Sequence, residues 1–330
     1  MTFFAHPLTK SFVRPMPPFR LLRFPELNLP AWDACVAGAR QPVPYAHSWW
    51  LRATAGRWDA LVRIEPETGR YLHVWPLPAK WRPGGRQVYQ PPFTQQLGLI
   101  SCGEDAPSIG PELAGLTQRY ARFYTQLNET NGLPTLPGQF AVEARQTYQL
   151  DLSPTYKTLR AGYCPDYRRR LLRHEAAAAP LAITELPYTE PLLALFQQTK
   201  GPAAGLQPRH YTRLRRLLAE LQRRQLLEAR AVRQPETGAL LAGALFVHYR
   251  SRLVYLFAAA SDEGKKAAAP LLLLDDAIRR HAGTPGLILD FEGGMLPAIA
   301  RFFANFGAAP VPYAALSFTS QRPWYLQWMP

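Results

Sequence analysis

A chain of 330 residues is long enough for two domains of ordinary size, and 47% hydrophobic with 19% charged residues can bury a substantial core, which excludes a disordered polypeptide. Its 38 Lys and Arg outnumber 24 Asp and Glu, giving a net charge of +14 that favours an anionic partner, phosphate above all. Because 32 of the 38 are Arg in an Ala-, Leu- and Pro-rich sequence, part of that charge is compositional.

The first 30 residues carry scattered Pro and Phe without a helical period and read as an extended arm, interrupted by charges before any signal-peptide run develops. Trp32 to Ala39 predicts a short helix. DALVRI, the turn Pro66-Glu67-Thr68-Gly69 and RYLHVWPLP predict a hairpin, and Gln87 to Ile100 an extended stretch. Leu113, Leu116, Tyr120, Phe123 and Leu127, spaced near 3.6 and stopped by Asn131-Gly132, predict a helix over 113–128. Leu227 onward runs into Pro235-Glu236-Thr237-Gly238 and LLAGALFVHY, a second hairpin with the same turn, which is compatible with internal duplication and equally with chance reuse of a good turn sequence. Arg252 to Ala260 reads as a buried strand and Lys266 to His281 as a helix ending near Gly283. Leu287 to Phe291 reads as a strand, and Pro297 to Phe306 as a helix closed by Gly307. This alternation defines an α/β layer.

The three cysteines, Cys35, Cys102 and Cys164, are odd in number and widely spaced, which argues against a disulfide framework and for a reducing, cytoplasmic setting. The longest apolar run, Ala267 to Leu274, is far short of the roughly 20 residues that cross a bilayer. Phosphate-loop, dinucleotide, serine-hydrolase and zinc-peptidase motifs are missing and the seven His are scattered, so no metal is expected.

YLFAAASDEGKKAAAPLLLLDDAI, LILDFEGG and AIARFFANFGAAPVPY together resemble the C-terminal lobe of FemAB-like proteins of the GNAT acyltransferase superfamily. YKTLRAGYCPDYRRRLLRHEAAA resembles the Arg-rich helix that opens the second lobe of that group, and YAHSWWLRA a segment near the start of the first. The resemblance implies an α/β protein of two GNAT-like lobes, each a mixed β-sheet flanked by helices, here divided as 1–150 and 151–330. It also implies acyl or aminoacyl transfer from acyl-CoA or aminoacyl-tRNA to an amine held in the groove between the lobes. In that fold the strand at 252–260 splays from its neighbour and the following loop holds a pyrophosphate, which makes Ser261, Gly264, Lys265, Lys266, Ala267 and Ala268 the candidate donor-binding residues. EGKKAAAP departs from the usual acetyl-CoA fingerprint, and two solvated lysines are the competing reading.

Asp290 and Glu292, at i and i+2 before a glycine pair, are placed on one side of a strand, with Glu292 as general base and Asp290 as its partner. The alternative is that they cap the next helix or pair with Arg301. Phe303 occupies the position where many acetyltransferases carry a proton-donating Tyr, so Tyr313 is the candidate substitute. Between Arg160 and Arg233 the 14 basic residues exceed six acids. Arg168, Arg169 and Arg173 on one helix and Arg209, Arg213 and Arg216 on another form candidate phosphate-binding rows, or solvated faces. Gln95 is expected to line the groove between the lobes. A GNAT-fold binding or scaffold protein without catalysis and a basic RNA-binding protein are the rival readings.

Overall fold

The computed structural model describes residues 17–40, 43–102, 110–132 and 138–320; the first 16 residues of the expected arm lie outside the described residues. The first half runs β1 (Arg20–Leu22), α1 (Leu29–Gly38), α2 (Ser48–Thr54), β2 (Asp59–Ile64), β3 (Tyr71–Leu77), β4 (Ala79–Arg82), β5 (Gly85–Val88), β6 (Ile100–Ser101), α3 (Gly110–Arg119), β7 (Arg122–Gln126) and β8 (Ala141–Asp151). Then come α4 (Tyr156–Ala161), α5 (Pro165–Glu175), β9 (Ala182–Glu185), α6 (Glu190–Thr199), α7 (Gly201–Ala204), α8 (Pro208–Arg223), β10 (Leu227–Arg233) and β11 (Leu240–Tyr249). The chain closes with β12 (Arg252–Ala260), α9 (Asp262–Lys266), α10 (Ala269–His281), β13 (Ile288–Asp290), α11 (Pro297–Ala304) and β14 (Ala309–Thr319).

Local chemistry sets the ends of these elements. The Asn28 side chain accepts the Ala31 amide and Pro30 fills the first turn of α1. Both Pro-Glu-Thr-Gly turns fold alike: Gly69 and Gly238 take φ of 72° and 69°, and their amides donate to Glu65 O and Gln234 O. The helix expected over 113–128 ends early. Leu113 and Leu116 keep helical spacing in α3, but Phe123, Thr125 and Leu127 are buried in strand alternation, because β7 pairs with β14 and Phe123 stacks on Phe318 at 5.5 Å. The helix expected from Lys266 starts instead at Ala269, after Ala268 turns through φ 59°.

A four-stranded sheet is ordered β1-β2-β3-β6, and a ten-stranded mixed sheet β4-β5-β7-β14-β8-β13-β12-β11-β10-β9. The large sheet runs from one half of the chain into the other. β14 lies antiparallel between β7 and β8, and β8 also pairs with β13 through residues 149–151. The core likewise crosses the halves: α8 turns Tyr211, Leu214, Leu217, Leu218 and Leu221 into a cluster that contains Trp32, Tyr45 and Trp50. Each such leucine contributes about 1.5–3 kcal/mol by burial, so this stripe fixes the mutual position of the two halves.

Candidate active site

The site forms where two parallel strands stop pairing. β12 and β13 are in register from Arg252↔Ile288 to Val254↔Asp290; beyond that pair β12 continues beside β11 alone. The β11–β12 ladder shifts between Leu245 and Phe246, which leaves Leu256 as the extra, bulged residue. Past Asp290 the chain turns sharply, with Glu292 in the left-handed region at φ 50°. The glycines after it are required by close approach: a Cβ on Gly293 would lie 2.9 Å from the Phe303 ring and one on Gly294 2.8 Å from the Tyr148 ring.

Two cavities meet at this divergence. One, of 400 Å³, is an apolar channel between β12 and α11, lined by Leu256, Ala258, Phe291, Phe302 and Phe303, with Lys200 and Lys265 among its residues. The other, of 620 Å³, lies between the halves and is lined by polar groups including Gln90, Gln95, Gln126, Arg145 and Tyr313. Glu292, Gly293, Leu256 and Ile299 line both. Tyr313 donates to Gln126 Oε1 at 3.1 Å, and burial raises its phenol above the ordinary value against the opposing Arg145 charge.

Glu292 is half-buried and its carboxylate accepts a hydrogen bond from the Tyr45 hydroxyl, a residue 247 positions away. Burial holds the Glu292 carboxyl well above the ordinary carboxylate range; the Tyr45 bond opposes this and the Asp290 charge adds to it. The bond is neither a helix cap nor an ion pair with Arg301, since Leu296 begins α11 without a side-chain cap. Asp290 is the last residue of β13, whereas Glu292 lies beyond the strand, so the two are not side by side on one face as the i, i+2 spacing implied. Instead the Glu292 amide donates to Asp290 Oδ1 at 3.0 Å, which Thr147 Oγ also approaches at 2.7 Å. Asp290 is buried, and burial raises its carboxyl, opposed by the guanidinium of Arg252 at 3.7 Å. Arg252 also binds Glu129 at 2.6 Å, tying this support to the first half of the chain.

The remaining candidates separate. Ser261 caps α9 by accepting the Gly264 amide at 2.9 Å. Gly264 serves close packing and not a tight turn: a Cβ there would sit 2.1 Å from Leu241 O. The amides of Lys265, Ala267 and Ala268 donate to the carbonyls of Ser261, Glu263 and Lys265, so these three are not the free phosphate donors expected. Lys265 pairs with Asp262 at 2.8 Å and faces the channel, while Lys266, Ala267 and Ala268 line a different cavity with Arg169 and Arg173. Arg168, Arg209 and Arg216 are exposed and Arg213 half-buried, and none lines either cavity at Glu292. Gln95, Glu292 and Tyr313 are brought together. The sequence carried no signal for Tyr45, Arg145, Lys200 or the Leu256 bulge as site groups, because each enters through a distant packing partner.

Residues 157–297 match the family described as acetyltransferase (GNAT) domain. No curated protein matches the chain in sequence. Among solved structures, FemX aligns with TM-score 0.60 at 12% identity, covering 93% of this chain and 99% of its own. A tandem GNAT protein from the clavulanic acid biosynthesis pathway aligns with TM-score 0.53 at 16% identity, covering 93% and 99%. A conserved protein of unknown function from Bacteroides thetaiotaomicron aligns with TM-score 0.54 at 10% identity, covering 92% and 100%. Residues 157–297 thus carry a match to a GNAT acetyltransferase domain, and the chain as a whole shares the fold of FemX and of a tandem GNAT protein.

Proposed function

We propose that the protein is an N-acyltransferase or aminoacyltransferase that seats an activated, phosphate-bearing donor, acyl-CoA or aminoacyl-tRNA, in the β12–α11 channel and an amine acceptor in the cavity between lobes 1–150 and 151–330. The observation that carries this reading is the position of Glu292, a carboxylate of raised affinity for protons at the one place where the apolar channel and the polar cavity share walls. A base whose pKa lies nearer the working pH is suited to deprotonating an ammonium acceptor.

Glu292 takes the ammonium proton and the freed amine attacks the donor carbonyl. The C–N bond forms as the C–S bond of a thioester, or the C–O bond of an aminoacyl ester, breaks. Glu292 then gives its proton to the leaving thiolate or alkoxide, and the surplus proton on the newly acylated nitrogen is lost to solvent, leaving a neutral amide. The bulged Leu256 lies on the walls beside Glu292, and its backbone N–H, outside the regular ladder, is suited to stabilising the carbonyl oxygen as it gains charge. Tyr45 is a positioning residue that holds Glu292. Tyr313, in the polar cavity and not in the channel, is assigned to the acceptor together with Gln95 and Arg145. The free cysteines suit a cytoplasmic setting. A screen of labelled acyl-CoAs and aminoacyl-tRNAs against amine acceptors tests the reading: transfer that disappears in Glu292→Gln supports it.

A second reading, a GNAT-fold binding protein without catalysis, is favoured by Phe303, which is buried in a stack with Phe291 at 4.6 Å and places no proton donor on α11. Donor binding without transfer, unchanged in Glu292→Gln, would establish it.

A further inference from the structure

The cavity between the halves carries an apolar lip that the chemistry at Glu292 leaves unused. Met295, Leu296 and Ile299 line it and are 43%, 68% and 37% exposed, three of the seven large hydrophobic residues exposed among the described residues. Single apolar side chains on a surface are ordinary; three within five positions at the mouth of a site mark a surface that meets something apolar. The local sequence makes the same point. Leu296 is the residue before the first turn of α11 and offers no side-chain oxygen to the free amides there, where Asn, Asp, Ser or Thr would. A leucine exposed where a polar cap would stabilise the helix points to a role outside folding.

The lip is continuous with the channel. Ile299 lines both cavities, and its amide donates to Leu296 O at 2.9 Å, so the two side chains follow one another on one face of α11. Outward from Phe291 and Phe303, the apolar surface passes Leu256 and Ile299, where Glu292 stands, and runs on to Leu296 and Met295. A carbonyl seated beside Glu292 has its donor arm in the channel, so the group it carries projects towards the lip. Leu296 and Ile299 are about 4.5 Å apart along the helix axis, more than the methyl of an acetyl group covers. Charge disfavours an aminoacyl group. Among the described residues Glu292 is the only acid on the walls of either cavity, and Arg145 stands on one of them. The ammonium of such a group would meet apolar side chains and a like charge, and would compete with the acceptor for Glu292.

We propose that the lip is a subsite for the transferred group and that this group is an aliphatic acyl chain several carbons long, not an acetyl or aminoacyl group. The inference rests on the reading that the donor occupies the channel with its carbonyl at Glu292. It assigns the chain to the apolar side of the cavity and leaves Gln95, Arg145 and Tyr313 to the amine.

Calorimetric titration with acetyl-CoA and with octanoyl-CoA, which needs no acceptor, tests it. Each buried methylene strengthens binding by up to about fourfold, so even partial cover of the additional ones should make octanoyl-CoA bind at least tenfold more tightly. In the Met295→Gln, Leu296→Asn double variant that preference should shrink to within threefold, while Leu172→Gln, at a similarly exposed leucine of α5, keeps it. Both substituted side chains are exposed and Asn is the better cap, so the fold is retained. Equal binding of the two donors by the wild-type protein, binding of neither, a preference that survives in the double variant, or transfer from aminoacyl-tRNA alone overturns the proposal. So does equal binding together with adsorption to phospholipid vesicles that the double variant loses, which would assign the lip to a lipid surface. Acyl transfer measured in parallel separates the two claims. Transfer at equal efficiency from both donors removes the subsite alone, whereas an octanoyl preference in binding without transfer removes the catalytic reading and leaves the subsite standing.

Discussion

On one side of Glu292 the channel presents Ala258, Phe291 and Phe303, apolar groups that can hold a flexible arm without competing hydrogen bonds; on the other, Gln95, Arg145 and Tyr313 offer polar groups at fixed angles. The two walls differ because they have different origins. The channel is a gap in one sheet, closed mainly by residues of one stretch, 255–303, with Phe196 and Lys200 added from α6 and its end. The polar cavity is assembled from β7, β8, β14 and the 90–95 loop, so its chemistry is written in segments far apart in the chain. The contrast teaches that an apolar channel can be built largely from one local stretch, whereas a polar cavity is composed by distant segments meeting in the fold.

The largest expected effect removes what the two cavities share. Glu292→Gln should lower transfer by about 10²–10⁴-fold with the affinities for donor and acceptor retained; a loss below threefold in single-turnover assays would sink its role as base. Next comes the channel's frame. Gly264→Ala places a methyl against Leu241 O and should cost about 1–3 kcal/mol in denaturant unfolding, with donor binding weakened before acceptor binding.

Tyr45→Phe should lower transfer at neutral pH by about tenfold, the loss of one hydrogen bond to a charged group. Since the Tyr45 bond lowers the Glu292 pKa, its removal should move the acid limb of the kcat/KM profile to higher pH and restore activity there. A purely structural role would instead depress the whole profile. On the polar side, Gln95→Ala should raise the acceptor KM several-fold and leave the donor KM alone; an equal rise in both would dissolve the division of the cavities.

The smallest effect is on stability against pH. A carboxyl whose pKa is higher folded than unfolded binds more protons in the native state between those two values, so stability falls as pH rises through that window. Glu292→Gln removes this loss, and its melting point relative to wild type should climb steadily from pH 4 towards neutrality. A difference that stays flat with pH would mean that the carboxyl is not raised.

Much of the frame was legible from local chemistry. The Pro-Glu-Thr-Gly hairpins, the buried stripe of α8 and the Gly307 stop after α11 each depend on residues a few positions apart, and turn preference or helical period reports them directly. Glu292 was also legible, as a carboxylate before a glycine pair. Residues 120–128 were not. Tyr120, Phe123 and Leu127 fit a helical period and Phe123, Thr125 and Leu127 fit an alternating one, and the choice fell to β14, a strand nearly two hundred residues later.

By itself, then, the sequence determined which stretches turn, which faces are apolar and which side chains are chemically able to move a proton or meet a phosphate. Only the tertiary structure decided that Tyr45 reaches Glu292, that Arg252 and Glu129 brace Asp290, and that Arg173 and Lys266 share one cavity. The physical reason is that periodicity records how a segment divides between water and core, but carries no information about which distant polar group it will meet there. Those partners are fixed when apolar surfaces such as the α8 stripe lock the two halves in register.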